Sequence, residues 1–356
     1  MIFFLAVLLT LVLFAELYSL LVGLRAIGFC YEFVSDCVEQ GQEVPVRVCV
    51  INKSILPVTY LSADINFPAD AILPDSAKTE KSDFRQSLKM NFFLWGKQAK
   101  TRLIPVSFHK RGLHYFRGAH IEKLDFAGLH NVAEDFVHMQ HVLVYPKRLG
   151  ADSLVSAMGE YCGDMIANRH LLRDPIITLG VREYTGREPM KTISWSQSAR
   201  RGQLVVREFD YTRDLSCTVL MAVDGLLPNR MEQFDRCCSM ARTVCQELTD
   251  RGIYVDFYTN SPIETMGKNK RFSWNCTVTA DEQRDFLEGL ALLYPGHVAD
   301  TADVLASNAA RAAGQHTAFV LIAPFDNQAV RDAVAILEEY SGMRVLLLCE
   351  TDFAEE

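Results

Sequence analysis

The sequence predicts an α/β plus all-β chain: an N-terminal transmembrane helix, a small β-sandwich, then a doubly wound parallel sheet. Three observations carry this. Residues Ile2 to Leu24 are apolar almost throughout, with Glu16 the only charge, close to the roughly 20 residues that cross a hydrocarbon core. Residues 30 to about 150 run in short polar/apolar alternations broken by Pro, Gly and Asn, the pattern of half-buried strands. From Leu215 onward, apolar strand-length runs alternate with helix-period segments, as in a sheet covered on both faces. The implied division is 1-25 anchor, 26-150 β-sandwich, 151-214 connector and 215-356 α/β domain.

The first segment reads as a retained anchor. A cleaved signal peptide needs a positive n-region and a small-x-small cleavage site, and neither precedes Arg25. Glu16 is then expected to face a partner helix or a head group. No Lys or Arg precedes the span, and Arg25 follows it. The positive-inside rule therefore predicts a single-pass protein of the inner or plasma membrane with its soluble part in the cytoplasm. The ten cysteines agree with a reducing compartment: their spacing is irregular and contains no C-x-x-C, so neither a disulfide frame nor a zinc site is expected.

In the β region, Glu43 to Ile51 and Val58 to Phe67 alternate cleanly. Thr101 to His109 and Leu113 to Ile121 flank Lys110-Arg111-Gly112, which reads as a hairpin turn. Several short strands of this kind suggest an immunoglobulin-like sandwich serving as a spacer or stalk. Residues 150 to 180 are poorly patterned and suggest loops and a short helix. In the α/β region, strands are expected at Leu215 to Val223, Ile253 to Tyr258, His316 to Ala323 and Met343 to Cys349. Helices are expected at Met231 to Arg251, Asp281 to Leu293, Ala302 to Ala313 and Asn327 to Tyr340, the first stopped by Gly252.

Charge and motifs narrow the function. A net charge of −8 argues against general nucleic-acid binding. No phosphate-binding glycine loop, dinucleotide fingerprint, H-E-x-x-H or G-x-S-x-G is present, so an enzyme is not expected. Cys162, His170 and Asp174 are near in sequence, which alone does not make a nucleophilic site. His109, His114 and His120 lie in strand-patterned sequence, and Gly267 to Trp274 reads as a solvated loop.

Val181 to Phe209, VREYTGREPMKTISWSQSARRGQLVVREF, is the most informative stretch. It sets Arg182, Arg187, Lys191, Arg200, Arg201 and Arg207 around Trp195, with Tyr184, Ile193 and Phe209 interleaved. A solvated charge run needs no such aromatics, and a core element carries fewer arginines. The expectation is a surface whose guanidinium groups are fixed by carboxylates and aromatic faces. It either stitches the two domains together or presents a docking face, and the two roles are compatible. Trp195→Ala is then expected to unfold the junction or to abolish partner capture.

The succession Arg182-x-Tyr184, Gly186-Arg-Glu188, Ile193-Ser-Trp195, Ser198-Ala-Arg200 and Leu204 to Phe209 resembles the signature of the bacterial domain of unknown function 58. Lys110 to Tyr115, Asp125 to Leu129 and Val142 to Pro146 extend it. Departures are Glu188 for Asp, Lys191 for Arg and Ser194 for Asp. The resemblance implies that the α/β region is a von Willebrand factor A-like domain, whose metal site begins D-x-S-x-S. Here Asp224 holds the first position, but Leu226 and Pro228 replace the hydroxyls, and Asp326 follows the third strand in a poor position for a later ligand. Asp224 is thus read as a remnant or a turn cap, with no cofactor expected and Mg²⁺ disfavoured. The resemblance also implies a MoxR-type AAA+ ATPase, or its client, as partner. The resulting expectation is a membrane-anchored, non-enzymatic scaffold. Arg182, Tyr184, Gly186, Trp195, Ser198, Arg200, Arg207 and Phe209 are its partner-binding or junction residues. The alternatives are a metal-dependent adhesion-type protein and an envelope-associated enzyme.

Overall fold

The computed structural model describes residues 2–74, 78–82, 85–125, 128, 130–150, 152–171, 178–209, 215–227, 229–263, 273–279, 283–296, 298, 300–314 and 317–353. The elements run α1 (Ile2–Val22), β1 (Ile27–Phe33), β2 (Cys37–Glu39), β3 (Val44–Asn52), β4 (Val58–Pro68), β5 (Ala71–Ile72) and β6 (Lys78–Ser82). Next come β7 (Arg85–Leu94), β8 (Ala99–Phe108), β9 (Gly112–Phe116), β10 (Ala119–Leu124), β11 (Asn131–Phe136), β12 (Gln140–Tyr145) and α2 (Asp152–Leu171). A hairpin-like pair follows, β13 (Thr178–Glu183) and β14 (Val205–Phe209), enclosing a short 3-10 turn (Met190–Thr192) and α3 (Trp195–Arg201). The rest is β15 (Ser216–Met221), α4 (Met231–Asp250), β16 (Tyr254–Thr259), β17 (Trp274–Val278), α5 (Gln283–Leu292), α6 (Ala302–Ala312), β18 (Ala318–Ala323), α7 (Gln328–Ser341) and β19 (Leu346–Cys349). Two compact units emerge: Met1–Lys147 with Leu287–Leu292, and Arg148–Phe286 with Leu293–Glu356.

The expected N-terminal transmembrane helix is overturned, and with it the single-pass membrane location. Among the described residues, no helix is long and apolar enough to cross a membrane. The physical reason lies in the last turns of α1, a helix of 21 residues. Lys123 Nζ donates to the carbonyls of Gly23 (3.0 Å) and Ser19 (3.4 Å), and Glu16 faces Asp125 and His130. A cation on the exposed carbonyls of a helix C-terminus is favourable, so this end of α1 is committed to the β unit. The unbroken exposed run goes from Phe3 to Phe14; beyond it Leu17 and Leu21 are exposed among half-buried residues. At ~1.5 Å per residue the unbroken run covers about 18 Å, against a hydrocarbon core of about 30 Å. The fold class becomes a mixed α/β chain of several sheets, with seven α-helices among the described residues.

The β unit holds three sheets, ordered β1-β3-β8-β5, β11-β10-β4-β7-β6 and β2-β12-β9. β3 shows why its sequence makes a strand: its residues alternate between buried and more exposed along the whole element, placing Val44, Val46, Val48 and Val50 in the core. Phe67, Phe108 and Phe116 meet there edge-on, with centroids 5.3 and 6.3 Å apart. The expected hairpin at Lys110-Arg111-Gly112 does not form. β8 pairs with β3 and β5, while β9 pairs with β12, so the turn passes the chain between sheets. β12 also pairs in parallel with the short β2, which gives the third sheet absent from the sandwich expectation.

In the second unit the sheet order is β17-β16-β15-β18-β19. β15, β16, β18 and β19 are mutually parallel, and β17 joins the edge antiparallel. β18, AFVLIA, is buried at every position, and β15 at all but the first, as strands covered on both faces must be. α6 and α7 cover one face through Leu305, Ala306, Ala309, Ala333 and Leu337. α7 is bounded by Asn327, whose side chain accepts from Val330 N, and by Gly342 at φ 66°, the left-handed conformation that glycine adopts freely at a helix end.

α2 replaces the expected loops and short helix. Leu154, Met158, Tyr161, Cys162 and Met165 are buried, a single helical stripe. Tyr161 Oη donates to the Phe319 carbonyl (2.8 Å) and accepts from Phe319 N (3.2 Å), clamping β18. Tyr161→Phe should cost about 1–3 kcal/mol by leaving buried main-chain groups of β18 unpaired. Urea unfolding checks this, and a loss below about 0.5 kcal/mol would remove the clamp.

Candidate functional site

The 178–209 segment folds as a small frame with a charged exterior. β13 and β14 pair antiparallel, and the intervening chain closes back on them. Ser194 N donates to the Val205 carbonyl (2.9 Å) and Tyr184 N to that of Leu204 (3.0 Å). The buried Ser198 hydroxyl donates to the Ser194 carbonyl (2.8 Å) and accepts from Val205 N (3.0 Å). Ile193, Val205 and Val206 fill the interior. Gly186 sits at φ 85°, a turn conformation costly for a side chain.

One corner is held by charge. Arg182 Nη1 donates to Glu188 Oε1 (2.6 Å), and Thr185 donates to the same carboxylate from N (3.0 Å) and Oγ1 (2.8 Å). Partial desolvation raises the Glu188 pKa, but hydrogen bonds from Thr185 and Arg182 outweigh it and bring it to about 2. This is the carboxylate-fixed arginine that the sequence implies.

The aromatic half of that expectation is corrected. Trp195 opens α3 and is 60% exposed, and the cation–π contacts among the described residues lie elsewhere, at Lys100–Phe93 and Arg102–Phe92. Arg182, Arg187, Lys191, Arg200, Arg201 and Arg207 are exposed, Tyr184 is half-buried, and the Phe209 backbone ends β14. Met190 and Leu204 are exposed beside them in sequence.

A second polar group lies at the carboxyl ends of β15 and β16. In open α/β sheets, ligands bind where successive strands diverge from a neighbour, here between β15 and β18. Asp224 is there, but it is already engaged. Asn260, fully buried, donates from Nδ2 to Asp224 Oδ2 (3.0 Å) and to the Asp300 carbonyl (3.0 Å), while its Oδ1 accepts from Val223 N (3.0 Å). Burial raises the Asp224 pKa, and the Asn260 bond partly offsets it. Asp326 turns to a paired contact with Arg331 (2.9 and 2.9 Å). The Phe325 ring lies where a Cβ on Gly225 would meet it at 3.5 Å. These carboxylates brace loops. Leu226 is buried, and Pro228 lies outside the described residues.

Glu16, Asp125 and His130 offer ligand atoms within 4.8 Å of one another, a donor set that fits a divalent ion in type. His130 donates to Asp125 from its backbone N (2.7 Å), and its Nδ1 lies 3.1 Å from the same oxygen. Lys123 is close by. Burial lowers its pKa overall, and the Asp125 charge opposes that shift in part.

The remaining candidates fare as follows. Cys162 is buried, and desolvation raises its pKa, the reverse of an activated thiol; Asp174 lies outside the described residues. His114 stacks on Phe108 at 4.8 Å, and burial lowers its pKa. His120 is held at 2.7 Å by Asp135. Trp274, expected in a solvated loop, belongs to β17 and packs on Phe257 and Phe286; residues 264–272 lie outside the described residues.

No family model matches the chain. YeaD, an uncharacterized protein of Bacillus subtilis (strain 168), is 23% identical over 210 residues, which is 59% of this chain and 51% of that protein. The match thus spans about half the length of this relative. Among solved structures, a cohesin module from a Clostridium perfringens family 33 glycoside hydrolase covers 33% of this chain and 96% of its own at 12% identity and a TM-score of 0.25. Spo0M, a sporulation control protein of Bacillus subtilis, covers 45% and 58% at 14% identity and a TM-score of 0.21. Likenesses that weak carry no argument. None of these matches supports the family name, the von Willebrand A label or the MoxR association suggested by the sequence, and the three go no further.

Three outcomes check this geometry. Asn260→Ala should destabilise the chain by about 2–4 kcal/mol, since one buried amide serves three loops. Asp224 binds its proton more tightly folded than unfolded, so its contribution to stability falls as pH rises through its folded pKa. In Asn260→Ala that fall should extend to higher pH. For Glu188 the sign is opposite: its stabilisation is present above the unfolded value of 4.5 and is lost as pH falls toward about 2. The Thr185 amide shift should therefore titrate near pH 2, and a midpoint at or above 4 would dissolve the Arg182–Glu188 lock.

Proposed function

We propose that this chain is a non-enzymatic binding protein whose 181–209 face docks an acidic protein partner. The observation that carries it is Trp195, 60% exposed at the start of α3 on a frame fixed by buried Ser194 and Ser198. A large aromatic displayed on a rigid base, with arginines around it, is the usual anchor of a protein interface. The segment holds six Arg or Lys residues against three Glu, in a chain of net charge −8. Its partner is accordingly negative, and attraction of this kind speeds encounter.

The test separates stability from capture. Trp195→Ala and the pair Arg200→Ala, Arg207→Ala should stay within about 0.5 kcal/mol of the parent in unfolding, as exposed positions do. Capture of the partner from a native extract, read by mass spectrometry, should fall at least tenfold, the loss expected on truncating an anchor worth about 2 kcal/mol. Unchanged capture in both variants would refute the docking face.

A further inference from the structure

One end of the β unit carries a surface that the docking face does not use. Two turns meet there, one at residues 53–57 after β3 and one at 95–98 after β7. The fully buried Asn52 ties them together. Its Nδ2 donates to the carbonyls of Leu56 (2.9 Å) and Trp95 (3.0 Å), and its Oδ1 accepts from Ser54 N (2.9 Å). Gly96 lies so near the other turn that a Cβ on it would stand 1.9 Å from the Ile55 carbonyl oxygen. On this base Ile55 is 74% exposed, Trp95 62% and Phe93 40%. Phe93 holds Trp95 edge-on at 5.2 Å. Rigid display of large apolar groups marks an interaction surface.

The charged residues of the two turns have one sign. Lys53 and Lys97 are exposed, and Lys100 Nζ sits 5.8 Å over the Phe93 ring. Neither turn contains an acidic residue, although the chain is net negative. α1 leaves the same end: Lys53 N donates to the Ala26 carbonyl (2.7 Å), just beyond the end of α1. Its residues Phe3, Phe4, Leu8, Leu11 and Phe14 are all exposed. A helix apolar on every side is favoured only in apolar surroundings.

We propose that this end of the β unit docks on an anionic lipid surface, with Trp95 and Ile55 at head-group depth and the lysines against the negative charge. An indole with a wet and a dry side suits that layer. Each lysine near such a surface strengthens the attachment. An acidic protein would satisfy the lysines but would leave the apolar surface of α1 on the same side unexplained. The contact is made from one side and requires no element to cross the bilayer.

The experiment uses the full chain carrying Trp195→Phe and Trp274→Phe, so that Trp95 is the remaining indole. It is mixed with phosphatidylcholine vesicles, with and without phosphatidylglycerol, whose acyl chains are brominated near the head group. Trp95 fluorescence should be quenched on the anionic vesicles. Lys53→Gln and Lys97→Gln should each weaken partition about fivefold, the equivalent of about 1 kcal/mol. Binding without quenching of Trp95 would overturn the proposal, as would partition indifferent to both lysines. Should the double Trp variant misfold, the parent is compared with Trp95→Ala: loss of the quenched fraction supports the tip, and an unchanged fraction overturns it.

Discussion

Burial of β15 and β18 on both faces is the constraint on which the α/β unit rests. A strand with no solvent on either side must be apolar throughout and must find every main-chain partner inside the protein. Ladders to β16 and β19 supply most of those partners, and side chains finish the work where the ladders end. Tyr161 takes both main-chain groups of Phe319. Thr259 Oγ1 donates to the Met221 carbonyl (2.8 Å), and Asn260 takes Val223 N. The polar residues at the carboxyl edge exist in this arrangement because the strands below them leave no water to do the same job.

The same logic separates the two candidate sites. At the carboxyl edge, polar groups are turned inward and consumed by each other, so the place where such sheets often hold a ligand is internally satisfied. In the 178–209 frame, the polar main chain is satisfied by Ser198 and its neighbours, and Trp195, Arg187, Lys191, Arg200, Arg201 and Arg207 face out. The second place keeps its chemistry available to a partner.

Much of the second unit was legible. α4, α6 and α7 carry their apolar period in plain view, and the ends at Asn327 and Gly342 are written in residue type. Other features were hidden for identifiable reasons. α2 carries Gly159 and Gly163, which mask the stripe from Leu154 to Met165. Strand pairing is not encoded by adjacency, so Lys110-Arg111-Gly112 looked like a hairpin although its flanks join different sheets. The apolar length of α1 suggests a span, and the contact that ties its last turns to the β unit comes from Lys123, a hundred positions from Gly23. Asn260 has no periodicity to announce it; its one signal is the polar run Thr259-Asn260-Ser261 closing an apolar strand. In the Arg/Trp segment, the residue set was visible from sequence, but whether Trp195 packs inward or outward was not.

The bonds of the 178–209 frame are short in sequence. Ser198 meets Val205 seven positions away, and Gln203 meets Glu183 at a separation of twenty. The β15–β18 ladder, by contrast, joins Cys217 to Ala318. Closing a short loop costs little chain entropy, and local contacts form early. The frame can therefore assemble before the parallel sheet exists, and during synthesis it would emerge complete while the strands that follow it are still waiting for their partners.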